Sequence, residues 1–394
     1  MSMPPALTII IPVYNTPPRF LRRCLDSLLA QTFENWEVIL ASDGPEECDA
    51  VCREYVGKDA RFRLVEKSGS YGKAVNRGID EARGNYIGIV EADDWCDPQM
   101  YRNLMDEAVR TSADVVKTGY WEAYDNPRLN RKKKLPYSGK ISARDNPTFF
   151  TSHPSVWCAV YRLAFLKEKG IRFIEDRVSY VDGAFHFETF ALGRDYRILH
   201  DHLYYYYQEN PGQSIKRQDN PLDEIIVLDR ALRRLRAFPS VFEEIGEDLI
   251  LAFAANLHGH YERLDCRGKA TFWREAHRVL PTWDFSSVYF DRLPPDLLRF
   301  MLALYAQPDL PDCVEGQSSL PSFPGGKRVE RFALKLWKFP IAGVRLRGRH
   351  GTFTIAGLPI VRWQHNDVEW SIRLFGLIPL FRMRCVSQKE LHHN

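Results

Sequence analysis

The 394-residue sequence predicts an α/β fold: a mostly parallel sheet flanked by helices, followed by a helical segment and a small C-terminal β module. Three observations predict it. Short apolar runs alternate with amphipathic helical patterns through the first 120 residues, which implies right-handed βαβ units. Polar clusters close three of those runs, at the strand ends where sheets of this kind bind ligands. The last cluster lies in 84–98, GNYIGIVEADDWCDP, where a buried apolar strand passes directly into acids.

Taken in order, Leu7–Val13 (LTIIIPV) is a continuous apolar run and hence a central strand. It stops at Tyr14-Asn15-Thr16-Pro17-Pro18, a turn with proline placed to open a helix. Residues 20–29 carry Phe20, Leu21, Cys24, Leu25, Leu28 and Leu29 at helical spacing. A strand at 36–41 ends at Ser42-Asp43-Gly44-Pro45; a helix to about 55, a strand at 62–66 and a helix at about 73–82 lead to the strand 86–90. A further strand is expected at 114–119, and the basic run 131–134 reads as a solvated loop. Between 155 and 173 a strand or turn precedes a helix that ends at Gly170. Residues 179–192 continue as an amphipathic helix with Asp182 placed to cap it, and 202–208, with four consecutive tyrosines, reads as a strand. From 221 to about 305 the chain is helical, and 307–326 is rich in Pro, Gly and Ser. Two loosely similar units follow, 352–363 and 371–383, each with a central Gly and a Pro shortly after, read as short hairpins and an internal repeat. The expected division is 1–220, 221–310, a linker at 311–326, and a basic aromatic module at 327–394. That module holds 13 Lys and Arg against 4 Asp and Glu, which suits an anionic membrane surface, an oligomer contact or a plain basic β module.

Glu91, Asp93 and Asp94 repel one another unless protons or a cation compensate. Hard divalent ions take oxygen ligands and join one or two carboxylates to a substrate phosphate, so the stretch reads as a metal–diphosphate site for Mn²⁺ or Mg²⁺. The plain alternative is an acidic turn before a helix starting near Pro98, with Asp97 as its N-cap. The eight cysteines are scattered and no histidine lies near the Cys48–Cys52 pair, which points to reduced thiols rather than a zinc site. The N-terminus enters a strand within a few residues and no apolar run reaches bilayer length. The expectation is a cytoplasmic protein, soluble or peripheral at the inner face of the cell membrane, with no nucleic acid as partner.

In order along the chain, IPVYN (11–15), SDG (42–44), GKAVNRGIDEARGNYI (72–87), EADDW (91–95), KGIRF (169–173), VD (181–182) and LYYYYQENPGQSI (203–215) resemble the family 2 glycosyltransferases with the Rossmann-like GT-A fold. The resemblance covers a little over half of the chain. It implies an inverting enzyme that moves a sugar from a nucleotide-diphosphate donor, a UDP-sugar first, to a hydroxyl of a glycan or lipid-linked acceptor. By the same resemblance Pro12, Tyr14 and Asn15 line the base pocket, Asp43 bonds the uracil edge or ribose, and Lys73 and Asn76 lie beside the nucleotide. Glu91 and Asp93 join the donor site, Asp93 and Asp94 hold the metal, and Asp182 is the base. The chain departs from the family pattern in three places. Glu91 replaces an Asp, Val181 replaces a Glu before the base, and Gln208-Glu209 stand where a basic residue contacts the diphosphate. Ser214, Lys216 and Arg217 are the residues left to serve that loop.

Two other classes are weighed against this one. A catalytically silent nucleotide-sugar-binding or scaffolding protein has no reason to keep Asp93, Asp94 and Asp182 together. A nicotinamide-dependent oxidoreductase requires G-x-G-x-x-G after the first strand, where IPVYN stands instead.

Overall fold

The computed structural model describes residues 4–212, 220–283 and 293–306, and the backbone of six strands between 331 and 384. It divides into two compact units, Met1–Phe253 and Ala254–Asn394.

The first unit is built on a sheet whose main path runs β3-β2-β1-β4-β9-β6-β10-β5. β1 (Leu7–Val13) is buried along its whole length, as its unbroken apolar run requires. It pairs in parallel with β2 (Trp36–Ser42) on one side and β4 (Tyr86–Ile89) on the other, and β2 continues to β3 (Phe62–Val65). The crossovers are α1 (Pro18–Leu29), α2 (Glu46–Lys58) and α3 (Tyr71–Glu81), close to the predicted positions. After β4 come the short β5 (Trp95–Cys96), α4 (Met100–Thr111) and β6 (Val115–Ala123). Small edge strands β7 (Arg131–Lys133) and β8 (Gly139–Ile141) precede β9 (Ala159–Arg162), α5 (Leu163–Lys169), α6 (Val181–Leu192) and β10 (Tyr196–Tyr207). β9 runs antiparallel between β4 and β6, while β6 and β10 are parallel. The long strands therefore share one direction apart from β9.

Three local readings are corrected. The basic run expected as a loop forms β7, an edge strand on β6 in which Lys133 meets Glu122 at 3.0 Å; charged residues suit an edge that nothing else pairs. α4 begins at Met100, near Pro98 as expected, but its N-cap is Gln99; Asp97 instead closes the Asx turn before it by accepting from the Gln99 N–H at 2.9 Å. β10 starts six residues earlier than 202, because its pairing with β6 slips between Ile198 and His202 and hides the early half from a period-2 reading.

Helices α7 (Asp223–Arg236), α8 (Pro239–Arg263), α9 (Cys266–Val279) and α10 (Pro295–Ala306) fill the segment predicted as helical. Among the described residues no helix is long and apolar enough to cross a membrane. The expected linker lies outside the described residues. The final strands form three hairpins rather than the two units foreseen. They are β11/β12 (Arg331–Leu336, Phe339–Arg347), β13/β14 (His350–Ile355, Leu358–Gln364) and β15/β16 (Glu369–Leu374, Ile378–Arg384). In each one a proline, 340, 359 or 379, follows the turn, and the register slips just beside it. Proline cannot donate to a ladder, so its placement at the slip is the position a sheet tolerates. The first hairpin escaped notice because the sequence between its strands, Trp337-Lys338, lacks the glycine found between the strands of the other two. Its register, with that of the second hairpin, aligns Arg331, Arg345, Thr352 and Arg362 in one row across β11–β14, and Phe332, Val344, Phe353 and Val361 in the next.

Candidate functional site

The site forms where β1, β2 and β4 end. Past β1, Tyr14 is 62% exposed and Asn15 adopts a left-handed conformation (φ 47°), so the chain turns sharply outward. Pro12 is buried within β1, opposite Ala41. The Asp43 N–H donates to the Val13 carbonyl (2.9 Å), tying the ends of β1 and β2 together. Its carboxylate accepts the Ser68 and Gly69 N–H groups (2.5 and 2.9 Å), which folds the loop after β3 onto the same edge. Asp43 thus shapes the shelf beside Tyr14 while keeping lone pairs for a ligand.

α3 opens next to this shelf. Ser70 caps it, accepting from the Lys73 N–H at 3.3 Å and donating to the Glu175 carbonyl at 2.8 Å. Lys73 is exposed on the first turn. Asn76, expected beside the nucleotide, is 2% exposed with its amide committed elsewhere. It donates to the Phe173 carbonyl and Glu175 Oε1 (both 3.0 Å) and accepts from the Phe173 N–H (2.9 Å). Its role is to fasten segment 173–175 to α3. Gly72 permits that approach, since a Cβ there would lie 1.9 Å from the Ile174 carbonyl oxygen.

The acid turn follows β4, and its three carboxyls have three different surroundings. Glu91 accepts the Tyr71 hydroxyl (2.6 Å), and its backbone N–H donates to the Tyr204 hydroxyl (3.1 Å). Burial pushes its pKa up to about 8, with the charges of Asp93 and Asp182 acting in the same direction and the Tyr71 bond against it. Asp94 is fully buried and accepts the Tyr204 hydroxyl (2.7 Å) and the Tyr207 N–H (2.8 Å), so it ties β10 to the turn. Burial raises its pKa well above the usual range. Asp93 is partly exposed, its Oδ2 accepting from Asn210 Nδ2 at 2.7 Å. Arg23 donates to the Asp93 carbonyl (2.9 Å) and lies over the rings of Trp95 (3.8 Å) and Tyr207 (4.3 Å).

This geometry corrects the metal assignment. The expectation paired Asp93 with Asp94, but both Asp94 oxygens are engaged inside the fold. Among the described residues no group of three or more His, Cys, Asp or Glu is placed to hold a metal ion. A partly exposed carboxylate such as that of Asp93 fits a Mg²⁺- or Mn²⁺-type ion that takes most of its oxygens from a substrate diphosphate and water. Asp93 is the residue that fits.

Asp182 comes to this edge from α6. Tyr180, at φ 62°, is the N-cap, so Asp182 sits in the first turn and accepts the Gly183 N–H (3.0 Å) instead of capping the helix as predicted. Burial raises its pKa, opposed by that N–H and by the charge of Lys117. Phe185, three residues along α6 from Asp182, stacks on Phe173 (4.3 Å), which lies 5.8 Å from the ring of Tyr71, the donor to Glu91, so the fold has brought the acid turn and α6 together. Ser214, Lys216 and Arg217 lie outside the described residues. Tyr71, Tyr204, Asn210, Arg23 and Lys117 were missed by sequence reasoning. The four-tyrosine run held a signal, since alternation buries Tyr204 on the side of the acid turn.

Residues 8–170 match the family model described as Glycosyl transferase family 2. The chain is 33% identical over 220 residues to the uncharacterized glycosyltransferase EpsJ of Bacillus subtilis (strain 168), covering 53% of this chain and 63% of the relative. It is 30% identical over 227 residues to the uncharacterized glycosyltransferase YibD of Escherichia coli (strain K12), covering 54% and 65%. The chain thus spans less than two thirds of the length of these curated relatives. Among solved structures, S. aureus TarS 1-349 in complex with UDP-GlcNAc superposes with a TM-score of 0.62 at 16% identity, over 75% of this chain and 87% of that one. The fold is therefore that of GT-A glycosyltransferases.

Proposed function

We propose, for a chain whose residues 8–170 belong to glycosyl transferase family 2, that it transfers a sugar from a nucleotide-diphosphate donor, a UDP-sugar first, to a hydroxyl of a glycan or lipid-linked acceptor. The observation that carries this reading is the acid turn 91–94 at the end of β4, the ligand-binding edge of the sheet, to which α6 is joined through Phe185 on Phe173, Phe173 on Tyr71, and the Tyr71 hydroxyl on Glu91. Tyr14, Asn15 and Asp43 offer a shelf for the nucleotide, and Lys73 lies near it. Asp93 would hold a divalent cation against the diphosphate, and that cation would stabilise the charge of the leaving group. Asp182 takes the proton of the acceptor hydroxyl as its oxygen bonds to the anomeric carbon. The bond from that carbon to the diphosphate oxygen breaks on the opposite face, and the nucleotide leaves with the electron pair, which inverts the centre.

The test is a panel of nucleotide-sugars assayed for heat stabilisation of the full chain with and without Mn²⁺, beginning with UDP-GlcNAc, the ligand of the TarS structure. A bound ligand raises apparent stability with its saturation. The expected result is a Mn²⁺-dependent upward shift for one UDP-sugar. No shift with any donor would turn the reading toward a silent scaffold.

Segment 327–394 is proposed as a contact for the membrane or for a second copy. The row Arg331–Arg345–Arg362 suits phosphate headgroups, since guanidinium pairs bidentately with phosphate. The full chain is expected to sediment with phosphatidylglycerol vesicles at low salt. The triple variant Arg331→Gln, Arg345→Gln, Arg362→Gln should lose most of that binding. Equal binding by both proteins removes the arginine row from the reading, and none by either removes the membrane.

A further inference from the structure

The basic run 131–134 stands apart from the acid turn in sequence, yet the fold brings it to the ligand-binding edge. β9 is antiparallel to both β4 and β6, so β4 and β6 run the same way and finish at one edge. β7 pairs with residues 120–122, the final stretch of β6. The three lysines there are not alike. Lys132 lies over the Trp121 ring (4.9 Å) and Lys133 meets Glu122 (3.0 Å). Lys134 is exposed and forms no ion pair among the described residues. Lys133 and Lys134 border a cavity of about 410 Å³, a size common to ligand sites. Tyr120, His153, Thr148 and Thr151 border it as well, and no acidic residue does.

Packing ties this cavity to both parts of the candidate site. The Tyr120 ring lies 5.9 Å from that of His153 and meets Trp157 edge to face at 4.8 Å. Trp157 stacks on Tyr204 (4.3 Å), whose hydroxyl bonds Asp94 and accepts from the Glu91 N–H. On the other side Thr148 precedes Phe149, whose carbonyl pairs with His186 Nε2 at 3.2 Å and whose ring packs on Phe190 at 4.8 Å. His186 and Phe190 belong to α6, the helix that carries Asp182. A hydrogen bond between Tyr137 Oη and Thr148 Oγ1 fastens the segment after β7 to the same turn. A molecule seated here therefore rests on walls packed against the acid turn and against α6. Aromatic rings beside a few polar groups suit a sugar. The unmatched ammonium suits an anion, because charge-assisted hydrogen bonds to carboxylate or phosphate are roughly twice as strong as neutral ones.

We propose that this cavity binds an acidic saccharide through a carboxylate or phosphate, with Lys134 as its counter-ion. That saccharide is the acceptor if the chain is a glycosyltransferase, so its role rests on that reading. The test is a saturation-transfer NMR titration of the full chain with methyl β-glucuronide, glucose 1-phosphate and methyl β-glucoside. One of the charged sugars should bind about tenfold more tightly than the neutral one, and which of them does so tells carboxylate from phosphate. Lys134→Gln, at an exposed position, should melt with the native protein and bring that sugar down to the neutral level. Lys134 also borders a second cavity of about 360 Å³, which His153 does not line. His153→Ala should therefore weaken the same binding, and full binding there puts the anion in the second cavity and overturns the proposal. An equal response to all three sugars, no response to any, or a preference that survives Lys134→Gln overturns it too. Heat stabilisation by nucleotide-sugars, measured on the same samples, keeps the two readings apart. A preference in a chain that binds no donor supports the acidic-saccharide site and removes the glycosyltransferase reading, whereas donor binding without a preference overturns the site alone.

Discussion

Asp182→Asn is expected to bind the nucleotide-sugar as the native protein does and to lose turnover by about 10³-fold, within the range that a positioned base supplies. The change is nearly isosteric. An amide Oδ1 can still accept the Gly183 N–H that Asp182 accepts at 3.0 Å, so the first turn of α6 has no reason to move. The nucleotide shelf, Tyr14, Asn15 and Asp43, is built from β1, β2 and the loop after β3, not from α6. Stability should respond in the opposite direction to activity. Burial raises the folded-state pKa of Asp182, so its ionised form is the one that the fold disfavours. Below the unfolded carboxyl pKa the group is neutral in both states and costs nothing. The penalty grows as pH rises from there through the raised folded value, and above it the penalty is complete. The Asn variant avoids it, and should therefore melt at or above the native temperature at neutral pH and lose that advantage in acid. Turnover is measured by UDP release, and binding by heat stabilisation with the same donor. Turnover within tenfold of the native protein would remove Asp182 as the base.

The same residues show what a sequence can convey about such a site. Leu7–Val13 was legible because a strand covered on both faces must be apolar throughout, and all seven of its residues are buried. The parallel half of the sheet and the three crossover helices follow from such runs and from helical spacing. Asp93 and Asp94 were not separable, because adjacent residues carry no period that says which one turns inward. That choice is made by Tyr204 and the Tyr207 N–H, which arrive from β10 more than a hundred positions later. Asn76 looks like any polar helix residue until Phe173 and Glu175 are brought against it. Lys117 is harder still, since a lysine in an otherwise apolar strand normally marks an exposed edge, whereas here it is enclosed. Local pattern therefore specifies the elements, and long-range pairing decides which polar groups face a ligand and which hold the fold.

The adjacent aspartates turn that distinction into an experiment with two opposite outcomes. Asp93→Asn removes the partly exposed carboxylate, and a neutral amide is a far weaker ligand for a hard cation. The protein should melt close to the native chain, since an amide oxygen at this position can still accept from Asn210 Nδ2 and the Arg23 guanidinium bonds the Asp93 carbonyl. The Mn²⁺-dependent stabilisation by nucleotide-sugar should then disappear, with donor affinity reduced by about 100-fold or more; such a loss corresponds to about 2.7 kcal/mol. Asp94→Ala should do the reverse. It strands the Tyr207 N–H and deprives the Tyr204 hydroxyl of its acceptor, both fully buried. Unsatisfied groups of this kind cost about 1–3 kcal/mol each. A loss of about 3 kcal/mol from the first unit should therefore appear as a lower denaturant midpoint before any donor is added. Once the protein is folded in mild conditions, Mn²⁺ should still enhance its response to donor, because Asp93 is intact. A native midpoint with no metal response in Asp94→Ala, beside a normal metal response in Asp93→Asn, would show that the buried residue turns outward to bind and that Asp93 is the structural member of the pair.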